Sequence, residues 1–209
     1  MKKLIVGISG ASGAIYGIRM LEALQRAKVE SHLIISEPAK KIIPMETDYQ
    51  IAEVEALANH VHPMDDVGAT IASGSFKTDG MVIIPCSIKS LSGVANSYND
   101  NLLVRAADVT LKEQRRLVLV VREAPLHKGH LRLMLSVADM GAVIYPPMPA
   151  FYELPQTTDD LVNHTVGKIL DLFDIEHDLL NRWQGLTEAQ TCEKTDRKRA
   201  ERLDRESNQ

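Results

Sequence analysis

The chain has 209 residues, 44% of them hydrophobic, which suffices to bury one full core and points to a single domain. A formal charge of -4, from 24 basic and 28 acidic residues, excludes the global basic surface on which nonspecific nucleic-acid binding depends. Two cysteines cannot build a disulfide framework or a four-sulfur zinc site, and no apolar run approaches the roughly 20 residues of a membrane span, so a soluble cytoplasmic protein without a membrane or nucleic-acid partner is expected.

The N-terminus, "MKKLIVGISG", starts with the basic pair of a signal peptide, but its apolar run is short and turns glycine-rich at once; it reads as a first strand. Further strand-length runs follow in "SHLIIS", "GMVIIP", "RLVLVV" and "GAVIYP", and they alternate with segments of helical period such as "AIYGIRMLEALQRA" and "DLVNHTVGKILDLF". Strands without polar alternation are covered on both faces. The pattern predicts a Rossmann-like, doubly wound α/β fold, a parallel sheet between two helix layers with the three-layer architecture of flavodoxin-like proteins. Ligands in such folds sit outside the carboxyl ends of the strands, so the loop after each strand is the place to look.

The first of these loops is "GISGASGAIYG". Ser9 stands where a dinucleotide fingerprint needs its second glycine, and Gly13 is not followed by the Lys-Ser or Lys-Thr of a P-loop. What remains is a strand, a tight turn of small residues and a helix starting near Ser12. Either an anion held by free N–H groups and hydroxyls, or a Ser12 that merely caps the helix, accounts for it. The second strand ends at Ser36 rather than at the acidic residue that binds a ribose diol, which argues against NAD and suits a flavin mononucleotide better.

The next strand ends in "PCSIKSLSG", which places Ser87, Lys89 and Ser90 at a second strand-to-helix turn, with Cys86 reading as a small buried residue. After "RLVLVV" come Arg122 and Glu123, suited to a phosphate fork and to acid–base work, or equally to a structural ion pair. The last strand ends in "YPPMPAFYELP", a proline-stiffened rim carrying Phe151 and Tyr152. His60-x-His62 and His127-x-x-His130 have metal-like spacing, but no cysteine or carboxylate pattern in the sequence completes either, and no metal is expected. A nucleophile elbow is absent, since Ser9 to Gly13 reads S-G-A-S-G. From about Leu186 the chain is dense in charges of both signs; a domain over 1–185 and a solvated tail or frayed helix over 186–209 are expected.

Taken together and in order, "GISGASGAIYG", "ETD" at Glu46 to Asp48, "ASGSF", "PCSIKSLSG", "RAADVTLKE", "REAPLH", "PPMPAFY" and "RWQG" resemble the UbiX-type flavin prenyltransferases from Met1 to about Gly185. The resemblance implies transfer of a dimethylallyl group from dimethylallyl phosphate to N5 and C6 of reduced FMN without a metal, giving the prenylated cofactor of UbiD-type decarboxylases. It implies that Gly10, Ala11, Ser12, Ser36, Ser87, Ile88, Lys89, Ser90 and Arg122 bind FMN. Tyr152 and Lys168 would hold the prenyl phosphate, with Arg105 and Lys112 completing that pocket. Family members often carry arginine where this chain has Lys168, which keeps the charge but loses the bidentate fork. Glu46 and Glu123 are the candidates for proton handling, and Ser12 and Lys112 join them at the catalytic centre. The resemblance also implies a homo-oligomer, often a dodecamer, with active sites at subunit contacts where Glu46 or the Trp183 segment serves a neighbour. Two other readings are a noncatalytic accessory subunit of an aromatic-acid decarboxylase and an FMN-dependent decarboxylase of related fold.

Overall fold

The structure, a computed structural model, describes residues 1–180. The charged tail expected over 186–209, together with Trp183, lies outside the described residues. The strands are β1 (Lys3–Ile8), β2 (Glu30–Ile35), β3 (His60–His62), β4 (Gly80–Cys86), β5 (Arg116–Val121) and β6 (Val143–Ile144). The helices are α1 (Ala14–Arg26), α2 (Glu37–Glu46), α3 (Ile51–Ala56), α4 (Ile88–Ala95), α5 (Leu102–Lys112), α6 (Lys128–Asp139) and α7 (Thr158–Leu172).

All pairings are parallel, in the order β3-β2-β1-β4-β5-β6. This is the doubly wound Rossmann order; without the short edge strand β3 it becomes the flavodoxin order. The five apolar runs form strands as expected, and β3 is an addition to them. Its sequence, His-Val-His, is too short and too exposed to carry a strand signal of its own.

The central strands are hydrophobic on both faces because both are covered. Leu4, Val6 and Ile8 of β1 pack into one core with Ile18, Leu21 and Leu24 of α1 and with Val166, Ile169 and Leu170 of α7. Ile5, between them in β1, joins Met81 and Ile83 of β4 in the opposite core, against Leu91 of α4, Leu103 and Ala107 of α5 and Val137 of α6. This period-two division fixes the register, since a slip of one residue would exchange the two cores. His32 in β2 is only 3% exposed, and burial, reinforced by the neighbouring His60, pushes its imidazole down to about 4. Cys86 is a free, buried thiol whose pKa burial pushes up to about 12, as inert as a small apolar residue.

Candidate active site

The strand order reverses between β1 and β4, and the loops leaving their carboxyl ends open a crevice there. Ser9 ties the two loops together. Its buried hydroxyl donates to the Pro85 carbonyl at 2.9 Å and accepts the Ser87 N–H at 2.8 Å. Two helices then begin at this edge with serine caps: Ser36 accepts the Ala39 N–H of α2, and Ser87 accepts the Ser90 N–H of α4, each at 3.3 Å. Each cap satisfies one N–H and leaves the positive end of its helix facing the crevice.

The first helix differs from the expectation. It begins at Ala14 rather than near Ser12, because Gly13 adopts a left-handed conformation at φ 97° and forms the N-cap without a side chain to offer. The anion at this helix end is the protein's own. The Glu46 carboxylate accepts the Gly13 N–H at 2.8 Å and the Ala14 N–H at 3.3 Å. Partial burial works against its charge, but hydrogen bonds from Ser12, Gly13 and Ala14 and the positive charge of Arg122 outweigh it and hold the carboxyl below the usual glutamate range. Glu46 is therefore ionised, and Ser12 serves it rather than capping the helix.

Beside this carboxylate lies a cavity of about 1150 Å³ lined by Gly10, Ala11, Ser36, Ser87, Ile88, Lys89, Ser90, Arg122 and Glu123, with Asn96, Tyr98 and Asn101 on its far wall. The lining fits a flavin mononucleotide. Lys89 and Arg122 form no salt bridge among the described residues, so two cations are available to a phosphate or a flavin carbonyl. At Gly10 an added Cβ would lie 2.4 Å from Cβ of Pro38, so only glycine lets the loop pass α2 at this distance. Glu123 is exposed, and its carboxylate accepts the Ala124 N–H at 3.1 Å.

The family model for flavoproteins matches residues 1–174. A flavin prenyltransferase UbiX from Thauera aromatica is 61% identical over 183 residues, covering 88% of this chain and 94% of the relative. The chain belongs to the UbiX flavin prenyltransferase family. A crystal structure of AnUbiX (PadA1) in complex with FMN and dimethylallyl pyrophosphate superposes with a TM-score of 0.88 at 48% identity, over 89% of this chain and 99% of that one. A dodecameric FMN-dependent UbiX-like decarboxylase from Escherichia coli O157:H7 superposes with a TM-score of 0.86 at 53% identity, over 88% of this chain and 100% of that one.

Not every residue that the UbiX resemblance singled out meets in this cavity. Tyr152 is 56% exposed on the loop before α7, 3.5 Å from Nε2 of His164, whose other ring nitrogen lies 3.0 Å from Glu153. Tyr145 has its pKa raised by burial and then by the phenols of Tyr152 and Tyr16, the latter in the first turn of α1. Lys168, one turn beyond His164 on α7, is 3.8 Å from Asp171. Lys112 is farther away. Asn101, which caps α5, lines the cavity, whereas Lys112 closes the same helix eleven residues on, about 16 Å along its axis. There Lys112 pairs with Glu113, whereas Arg105, in the first turn next to the cavity-lining Val104, donates to the Ala72 carbonyl and pairs with Asp108. Sequence reasoning missed the Ser9 bridge and the wall of Asn96, Tyr98 and Asn101. The polar run "NSYND" after α4 was the available signal for that wall.

Proposed function

We propose that this chain transfers the dimethylallyl group of dimethylallyl phosphate to reduced FMN at N5 and C6, closing a fourth ring. The observation that carries the reading is one cavity that gathers the Gly10–Ala11 turn, the Ser36 and Ser87 helix caps and the cations of Lys89 and Arg122, in a chain of this family. When bound, reduced FMN supplies the nucleophilic atoms. The protein's part is charge, position and dryness.

Departure of an allylic carbon from phosphate places negative charge on the leaving oxygen and positive charge on the carbon. Arg122 answers the first, with Lys168 and Tyr152 as further phosphate partners on the phenol-lined rim. The phenol faces of that rim answer the second and exclude water. Holding the allyl carbon against the flavin removes the entropic cost of bringing them together. The proton lost on ring closure passes to the departed phosphate or to a carboxylate. Glu46 is ionised and able to accept it, and Glu123 at the mouth of the cavity is suited to pass it to solvent. Ser12, bonded to Glu46, keeps that carboxylate in place.

Lys112 and Arg105 join this machinery from a neighbouring subunit. Within one protomer Lys112 lies at the far end of α5, and Arg105, although next to the cavity-lining Val104, is engaged by the Ala72 carbonyl and Asp108; the dodecameric assembly of the E. coli relative supports a homo-oligomer for this chain. The product would serve a UbiD-type decarboxylase in the cytoplasm. No helix among the described residues is long and apolar enough to cross a membrane. Anaerobic incubation with reduced FMN and either dimethylallyl phosphate or the pyrophosphate, followed by the mass of the recovered flavin, tests the reading and identifies the donor.

A further inference from the structure

Away from the cavity, the edge of the sheet gathers three histidines and a carboxylate. β3 pairs with β2 in the register His32↔His60 and Ile34↔His62, so His60 and His62 project on the face that carries His32. The rings stack: His32 lies 4.6 Å from His60 with 22° between planes, and 5.3 Å from His62 with 18°. Glu30, two residues before His32 and on the same face, brings Oε1 to 3.3 Å from Nε2 of His32 and 3.4 Å from Nε2 of His60. The three ligand atoms lie within 4.8 Å of one another.

We propose that Glu30, His32 and His60 bind one divalent transition-metal ion of the zinc class, with His62 as the outer partner that orients His32. Ligands about 2.1 Å from a tetrahedral ion are about 3.4 Å apart, which matches both carboxylate–imidazole separations. The outer contact is also of the required kind. Nδ1 of His32 is 3.0 Å from Nε2 of His62, and with the proton on Nδ1 this bond leaves the Nε2 lone pair of His32 facing Glu30. A lone pair and a carboxylate oxygen at that distance need a cation or a proton between them. Zinc satisfies both and takes His60 as well, whose half-exposed ring turns on its side chain to reach it. A water in the fourth position completes the tetrahedron. Lys3, 3.0 Å from both Glu30 oxygens, balances the carboxylate from the other side. Imidazole and carboxylate together favour zinc, nickel or copper over calcium or magnesium.

The site lies apart from the proposed chemistry. His32 is four residues, about 13 Å along β2, from Ser36 at the cavity. Its effect is to clamp a three-residue edge strand to the sheet, since β3 has little else to hold it.

Untagged, chelator-stripped full chain is titrated with Zn²⁺ against a chromophoric chelator near neutral pH. One ion per chain is expected, with at least about tenfold weaker binding in His60→Ala and in Glu30→Gln and no change in His127→Ala, whose imidazole caps α6 instead. His60 is exposed enough for its variant to fold, which FMN binding checks independently. Co²⁺ in place of zinc should give tetrahedral ligand-field bands in the parent and none in His60→Ala. Failure to bind an equivalent of Zn²⁺, or equal affinity in His60→Ala, overturns the proposal.

Discussion

Glu46 closes the N-terminus of α1 by accepting the Gly13 N–H at 2.8 Å, across 33 positions of sequence. The contact replaces the local serine cap that the sequence suggests, and it places an ionised carboxylate within electrostatic reach of the cavity-lining Arg122.

Replacing Glu46 by Gln removes the charge and keeps the shape. Stability should fall by about 1 kcal/mol at neutral pH, the usual value of a helix cap. The folded pKa of Glu46 is lowered, so the unfolded chain binds the proton more readily and this contribution is fully present above the ordinary glutamate pKa. It disappears as pH falls through the lower folded value. Urea melts at several pH values check this: the gap between parent and E46Q should be constant above about pH 5 and close toward acid.

Ser9→Ala leaves the Ser87 N–H without its buried partner, while the Pro85 carbonyl keeps only the Ser9 backbone N–H, at a cost of about 1–3 kcal/mol. The Ser87–Ser90 turn loses its anchor at the same time. FMN affinity should therefore weaken together with stability, measured by flavin fluorescence quenching and thermal melts on the same sample.

Gly10→Ala separates these two readouts. The new methyl would meet Pro38 at 2.4 Å, and the half-buried loop relieves the clash by moving away from α2. Binding should fall at least about tenfold, because backbone that must approach the ligand is displaced, while the melting temperature changes by a few degrees at most.

The layers of the fold were legible because burial on both faces removes polar alternation from the parallel strands, as "LIVGI" and "MVIIP" show. Ser36 and Ser87 were legible as residues at the ends of apolar strands because that position is a local feature of the sequence. What escaped is nonlocal. The start of α1 depends on Glu46 and the two strand-end loops on Ser9, while the His60 pair acquires Glu30 and His32 only through pairing of β2 with β3. The cavity residues from Gly10 to Arg122 were readable as strand-end residues, whereas the distance of Lys112 from them depends on the direction and length of α5.

The distance also predicts a mixing result. Lys112→Ala should retain FMN and lose prenylation, and Arg122→Ala should lose prenylation through its own cavity. If Lys112 serves a neighbour, oligomers reassembled from the two variants regain a fraction of parent activity, because some sites combine an intact Arg122 with an intact Lys112. Sites contained within one chain would show no recovery.

The flavin itself carries the record of the reaction. Reduced FMN, a dimethylallyl donor and the purified protein, incubated without oxygen, should yield a flavin heavier by one five-carbon unit when the mixture is analysed by mass spectrometry. A flavin that binds in the cavity but keeps its original mass with both the phosphate and the pyrophosphate donor would contradict it.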